Sequence, residues 1–265
     1  MQRLATREGG LWAALAVLVV AVVAGLYLYE PRYDDGSVTL PELPVTRAHA
    51  APEPAGPEVL SDPDGISRFA VVQSAVQALA KPELGAKVVG SLSRRTPEGT
   101  DNIVLVLEQD ERDGQDWVRV RLPVLPNNTV GWVPRESLGL YDEVATRLVV
   151  SKRKLRATLF RGSKKIWSAP IGIGFDKWPT PRGEYYVRNK LEKYASPAYG
   201  PIAFGTSARS AVLTDWPAGG FVGIHGTDRP EILPGKVSHG CIRLANEDIL
   251  ALAKLMGPGT PLTIV

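Results

Sequence analysis

The stretch Val-Ser-His-Gly-Cys-Ile-Arg at residues 237–243 contains the chain's one cysteine, Cys241. A second stretch, Ile-His-Gly-Thr at residues 224–227, lies upstream and contributes His225. A thiol with an ordinary pKa near 8.5 is only about 3% thiolate at pH 7, so a nucleophilic cysteine needs a nearby base or positive charge. His225 and His239 are two of the three histidines in the chain. The cluster therefore indicates a cysteine enzyme.

The same residues also allow a different kind of site. His225, His239 and Cys241 are possible ligands of a zinc ion, with Asp228 or Glu231 nearby. Zinc motifs typically separate their local ligand pairs by two to five residues, whereas a single residue separates His239 from Cys241. The spacing favours a thiol and imidazole pair, and we predict neither a metal nor another cofactor.

Composition limits the class of protein. The 265 residues are 44% hydrophobic, which is enough for one or two globular domains. The 31 lysines and arginines against 28 aspartates and glutamates leave a formal net charge of +3. Nucleic-acid binding would require a basic stripe or a stacking surface, so we predict no nucleic-acid partner. A lone cysteine also excludes an internal disulfide.

Residues 11–29 carry no formal charge and would span about 28 Å as a helix, close to the thickness of a bilayer core. Arg3 and Arg7 precede this segment, and acidic residues outweigh basic ones directly after it. The positive-inside rule therefore predicts a single-pass membrane anchor with residues 1–10 in the cytoplasm and the rest outside. A cleaved signal peptide is the alternative, although no small-x-small cleavage site ends the segment.

Residues 30–64 contain seven prolines and no hydrophobic periodicity, which predicts an extended linker. His49 lies there and is expected to be an ordinary exposed residue.

Short apolar runs separated by turn residues then predict a small β-barrel over residues 65–140. The predicted strands are 75–79, 88–92, 103–107, 117–122 and 131–134. The run 117–121, followed by Gly131-Trp132-Val133, resembles the bacterial SH3-like domain. Such a module either binds wall peptide or glycan through exposed aromatics or packs on the next domain and orients it. Trp117 and Trp132 are more often core residues, which favours the second role.

Residues 141–265 again begin with strands and end with one clear helix. Strands are predicted at 155–159 and 164–171, and another from 183 to 188 after the turn Thr-Pro-Arg-Gly at 180–183. Asn246 is the expected N-cap of the helix, and Gly257 with Pro258 ends it. The apolar positions of this helix are Ile249, Leu250, Leu252, Ala253 and Met256. Cys241 therefore precedes the helix on a loop.

The motifs at 224–227, 238–243 and 180–183, with fourteen residues from His225 to His239, resemble the catalytic domain of the L,D-transpeptidases, or YkuD family. The resemblance covers about residues 145–265 and implies a mostly β fold. In that family the cysteine attacks the carbonyl of the L-centre residue in a peptidoglycan tetrapeptide stem, and D-alanine leaves. An amine of a neighbouring stem then resolves the thioester, which forms a 3→3 cross-link.

Carried over by position, the resemblance implies that Cys241 is the nucleophile and His225 the base, with the Gly226 carbonyl orienting the imidazole in place of a carboxylate. His239, Gly240 and Cys241 are expected to offer backbone N–H groups to the oxyanion.

The resemblance leaves supporting and binding roles for other residues. Ser238 is expected to support the loop, and Arg243 either to bind a stem carboxylate or to brace the loop. Tyr199 and Gly200 are predicted to line the substrate pocket.

The expected partners are peptidoglycan stems, the cell membrane through the N-terminal helix, and carbapenem-type β-lactams as inhibitors. Three other functions stay open: an L,D-carboxypeptidase in which water resolves the thioester, an enzyme that attaches a protein to peptidoglycan, and a catalytically idle wall-binding scaffold.

Overall fold

The computed structural model describes residues 56–192, 197–213 and 220–265. Within these ranges the chain forms two β-sheets and one α-helix. The strands of the first sheet are β1 Glu58–Val59, β2 Ser67–Val72, β3 Val76–Leu79, β4 Val88–Leu92, β5 Ile103–Arg112, β6 Gln115–Arg121, β7 Val130–Pro134 and β8 Leu138–Val144. Those of the second are β9 Thr146–Ser151, β10 Arg156–Arg161, β11 Lys164–Pro170, β12 Gly172–Gly174, β13 Gly183–Glu192, β14 Ile202–Arg209, β15 Phe221–His225, β16 Gly235–Ser238, β17 Ile242–Arg243 and β18 Pro261–Ile264.

The first sheet is antiparallel, with the order β4-β3-β7-β6-β5-β2-β8 and β1 paired to β5. Its predicted strands are present, although β5 runs five residues further than expected, to Arg112. Its core is built mainly from valines and leucines of alternating strand positions. Trp117 and Trp132 are 2% and 8% exposed, so both belong to the interior as expected. The resemblance to an SH3-like domain stays a prediction.

Two boundaries differ from the prediction. Within the predicted linker, Glu58–Val59 form β1, which pairs with β5, and Leu60 is buried in the core below the first sheet. At the other end, β8 continues to Val144 through its pairing with β2. The second sheet therefore begins at β9 and not at residue 141.

The second sheet has the order β11-β10-β9-β18-β13-β14-β15-β17-β12-β16. Its first hairpins follow the predicted turns, with β10 and β11 joined at Gly162. Three pairs are parallel, namely β9 with β18, β12 with β16, and β15 with β17. These parallel pairs join segments far apart in sequence. The prediction of a mainly β chain with a single helix after Cys241 is confirmed for the described residues.

Helix α1 spans Asn246–Ala253 and buries Ile249 and Leu252 against the second sheet. Its N-cap is Ala245, one residue before the prediction. The side-chain oxygen of Asn246 instead accepts a hydrogen bond from the Thr227 N–H at 3.1 Å. Leu250 is 42% exposed and does not contribute to the buried face. The helix thus links the Cys241 loop to the segment that follows His225.

The two sheets are packed together as one compact unit. The ring of Tyr186 is fully buried beside Ile103 and Leu105 of the first sheet. Its hydroxyl donates to the Ile103 carbonyl at 3.0 Å. Of the two roles considered for the first sheet, packing on the second sheet is therefore observed.

No helix in the described part of the chain is long and apolar enough to cross a membrane. The predicted anchor at 11–29 lies outside the described residues, and so does most of the predicted linker.

Candidate active site

The parallel pairing of β15 with β17 brings the two motifs together. His225, the last residue of β15, is in register with Arg243 of β17. Cys241 immediately precedes β17, and its Sγ accepts a hydrogen bond from the Gly223 N–H at 3.4 Å. A Cβ atom added to Gly223 would lie 3.9 Å from both Cys241 Sγ and the Cδ2 atom of His225. The thiol and the imidazole are therefore neighbours across Gly223.

Both groups line one cavity. Six of the predicted site residues contribute to its wall: Tyr199, His225, Ser238, His239, Cys241 and Arg243. The remainder of the described wall was not predicted: Ala198, Ser210, Leu213, Gly220, Phe221 and Val222. Most of these residues are small or apolar and carry no motif. The sequence alone held no signal for them.

The tautomer of His225 follows from its hydrogen bond. Nδ1 lies 2.6 Å from the carbonyl oxygen of Gly226, which can only accept. Nδ1 of the neutral ring therefore carries the proton, which leaves the lone pair on Nε2. Tyr199 packs against the imidazole with 4.6 Å between ring centroids. The ring is thus oriented by a neutral carbonyl and an aromatic side chain.

Burial keeps both reactive groups uncharged. It lowers the pKa of His225 to about 4, although the Gly226 carbonyl acts in the opposite direction. Burial also raises the pKa of the Cys241 thiol, opposed by the Gly223 N–H and the positive charge of Arg243. The resting pair is therefore a thiol and a neutral imidazole.

The loop before Cys241 is fixed by hydroxyl groups. Ser238 Oγ donates to the Cys241 carbonyl at 2.6 Å and accepts from the Gly240 N–H at 3.1 Å. The Gly240 N–H, one of the three predicted oxyanion donors, is thus bonded to Ser238 in this structure. Gly240 has φ +119, which lies in the region that favours glycine.

Thr180 holds the other side of this loop. Its hydroxyl donates to the Gly240 carbonyl at 2.8 Å and accepts from the Gly174 N–H at 2.9 Å. Thr180 is fully buried. In a trans peptide the carbonyl and the following N–H point in opposite directions. By holding the Gly240 carbonyl, Thr180 therefore sets the direction of the Cys241 N–H.

His239 is exposed, and its ring stacks on Trp178 with 4.0 Å between centroids. Lys177 Nζ lies 3.7 Å from the centre of the same indole. Together with the buried position of His225, this arrangement makes His225 the better candidate for the base. Within the described ranges, no group of three or more His, Cys, Asp or Glu side chains converges on a possible metal position.

Gly200 and Gly226 pack closely against each other and against Asn246. Gly200 has φ +65, and a Cβ added to it would approach Asn246 Oδ1 to 2.3 Å and Gly226 Cα to 2.7 Å. Gly200 therefore lets the chain pass close to Gly226, and its predicted contact with substrate stays a prediction. Arg243 does line the cavity, and its buried Nε has no hydrogen-bond partner among the described residues.

Known proteins resemble the second sheet. Residues 145–264 match the L,D-transpeptidase catalytic domain of the YkuD family. A Bacillus licheniformis protein named L,D-transpeptidase YkuD is 31% identical over 123 residues, which cover 46% of this chain and 67% of that protein. A Bacillus subtilis protein of the same name is 33% identical over 107 residues, which cover 40% of this chain and 58% of that protein.

A solved catalytic domain of an E. faecium L,D-transpeptidase is 26% identical, with a TM-score of 0.34. The match covers 45% of this chain and 96% of that domain. The sequence matches show the family. The matched region spans about three fifths to two thirds of the two Bacillus relatives.

Proposed function

The chain belongs to the YkuD family of L,D-transpeptidases, and on that basis we propose that it is a peptidoglycan L,D-transpeptidase with Cys241 as its nucleophile. The donor is the tetrapeptide stem of peptidoglycan, and the acceptor is an amine of a neighbouring stem. The product is a 3→3 cross-link.

In the acylation step, His225 Nε2 takes the thiol proton as Cys241 Sγ attacks the carbonyl carbon of the L-centre residue. The Cys241 N–H is the proposed donor to the resulting oxyanion. Thr180 holds the Gly240 carbonyl by a hydrogen bond, so the Cys241 N–H of the same peptide points in the opposite direction. When the tetrahedral intermediate collapses, the bond to D-alanine breaks. His225 then returns the proton to the leaving amine.

In the second step, the acceptor amine attacks the thioester and His225 takes the amine proton. The carbon–sulfur bond breaks, and the proton returns to Sγ. Arg243 is proposed to bind a stem carboxylate through its cavity-facing side chain.

One observation carries the proposal. The hydrogen bond from His225 Nδ1 to Gly226 leaves Nε2 as the basic nitrogen, and Cys241 lines the same cavity. A structural histidine would need no such pairing with a nucleophile.

The test is to incubate the protein with purified disaccharide tetrapeptide and identify the products by mass. A cross-linked dimer supports transpeptidation, whereas tripeptide alone means that water resolves the thioester. No product from the native protein, or the same products from Cys241→Ala, would overturn the proposed function.

We also propose that residues 11–29 anchor the chain in the membrane, with residues 30 onward outside the cytoplasm. The uncharged run and the preceding arginines support this placement. Protease added to spheroplasts should remove the catalytic part of a tagged chain. Complete protection that is lost only on lysis would contradict the proposal.

A further inference from the structure

The ring of Phe221 forms part of the active-site cavity and contacts two arginines. Arg188 Cζ is 3.8 Å from the ring centre, and Arg209 Cζ is 4.9 Å from it. Guanidinium groups at these distances attract the face of an aromatic ring. The position of this cavity wall therefore depends on what holds the two arginines.

Arg188 is held by the first sheet. Its side chain is 1% exposed, and Nη2 lies 2.9 Å from Glu98 Oε2, in the turn between β4 and β5. The same carboxylate oxygen accepts from Asn189 Nδ2 at 3.3 Å. Nε and Nη1 of Arg188 have no hydrogen-bond partner among the described residues. Glu98 is therefore the counter-ion on which this buried charge depends.

Arg209 is also held by the first sheet, through its backbone. Asn127, in the turn between β6 and β7, donates from Nδ2 to the Arg209 carbonyl at 2.7 Å. Its Oδ1 accepts from the Arg209 N–H at 3.0 Å. Arg209 ends β14, and the next residue, Ser210, lines the cavity and is bonded to the Gly220 carbonyl. Two turns of the first sheet thus hold the two arginines that contact Phe221.

We propose that Glu98 is a positioning residue for the reaction: through Arg188 it fixes the Phe221 ring against which the donor stem packs. This inference rests on the proposed function, because it assigns a part of the same site. It makes the first sheet a component of the donor-binding cavity.

The kinetic test compares Glu98→Ala with Glu108→Ala in the full chain. Glu108 is a matched control, because its ion pair with Arg119 at 3.0 Å lies within the first sheet. We expect kcat/KM for disaccharide tetrapeptide to fall about 100-fold in Glu98→Ala, because a displacement of about 1 Å in a substrate-positioning group can lower the rate by that factor. Most of the loss should lie in KM. Glu108→Ala should behave as the native protein does, and Glu98→Gln should lose less than Glu98→Ala.

A second measurement shows whether the effect passes through Phe221. In the double variant Glu98→Ala/Phe221→Leu, the loss should equal that of Phe221→Leu alone, because the ring that Glu98 positions is already gone. Independent, multiplying effects would overturn the inference. So would a Glu98→Ala variant with native KM and kcat.

Hydrogen exchange separates this inference from the proposed function. Without Glu98, the Ser210 and Val222 amides should exchange faster, while those of residues 235–243 keep their native rates. Native exchange at Ser210 and Val222 in both Glu98→Ala and Glu98→Gln would overturn the positioning role whatever the substrate. Faster exchange in a protein that processes no tetrapeptide would refute the function alone.

Discussion

Replacing Thr180 by valine tests how the nucleophile loop is fixed. Valine has nearly the shape of threonine but no hydroxyl, so the Gly240 carbonyl and the Gly174 N–H both lose their partner in a fully buried position. A buried polar group without a partner costs about 1 to 3 kcal/mol. We therefore expect a loss of about 2 to 6 kcal/mol in the free energy of unfolding.

The same change releases the Cys241 N–H from its fixed direction. Removing an oxyanion donor outright lowers rates by about 100- to 1000-fold, so a misdirected donor should slow acylation about 10- to 100-fold. The assay combines urea unfolding, followed by tryptophan fluorescence, with the rate of carbapenem adduct formation measured by intact mass.

Thr180→Ser is the matched control. It retains the hydroxyl and loses one buried methyl group, so it should cost about 1 kcal/mol and keep most of the acylation rate. A folded Thr180→Val protein that is acylated at the native rate would refute the argument that Thr180 directs the Cys241 N–H.

Three further predictions concern the site. A carbapenem should form one covalent adduct on the native protein and none on Cys241→Ala, as read from intact mass; an equal adduct on both would remove Cys241 as the nucleophile. Because burial lowers the pKa of His225 from 6.5 to about 4, the unfolded chain binds a proton first as pH falls, and stability present above pH 6.5 is lost toward pH 4. Between pH 7.5 and pH 5 the free energy of unfolding should drop by about 2 kcal/mol more in the native protein than in His225→Gln; equal pH slopes would contradict the buried neutral imidazole. Gly200→Ala should lower the free energy of unfolding by about 2 to 4 kcal/mol, measured by denaturant titration, because the added Cβ meets Asn246 and Gly226. Gly85→Ala, at φ +84 with nothing within 4 Å of the added atom, should cost only about 1 kcal/mol, and similar losses in the two variants would show that the contact beneath Gly226 is unimportant.

The local parts of the fold could be predicted from the sequence. The hairpin of β10 and β11 follows from alternating residues around a glycine turn, and β4 matches its predicted bounds. Helix α1 was found from its apolar spacing, but its N-cap was misplaced by one residue because Asn246 is used by Thr227. A side chain that can cap a helix can equally bond a distant backbone group, and only the tertiary structure decides.

The site was predictable where it depends on a compact motif and not where it depends on long-range contacts. Cys241 and His225 were singled out because their residue types and spacing are distinctive, and the structure brings both to one cavity. Thr180 bonds a residue sixty positions away, and Glu98 pairs with a residue ninety positions away. No periodicity or propensity in a single sequence reports such pairs, since they arise from the order of strands in the sheets.

The neutral resting state of the Cys241 thiol also affects how long the enzyme lasts. Peroxides attack the thiolate far more readily than the thiol, and burial raises the pKa of Cys241. Between catalytic events the sulfur is therefore a poor target for oxidants. Under the proposed function and location, Cys241 is a nucleophile that stays protonated between reactions in a protein beyond the reach of cellular thiol-reducing systems. Such a nucleophile favours a long working life over maximal intrinsic reactivity.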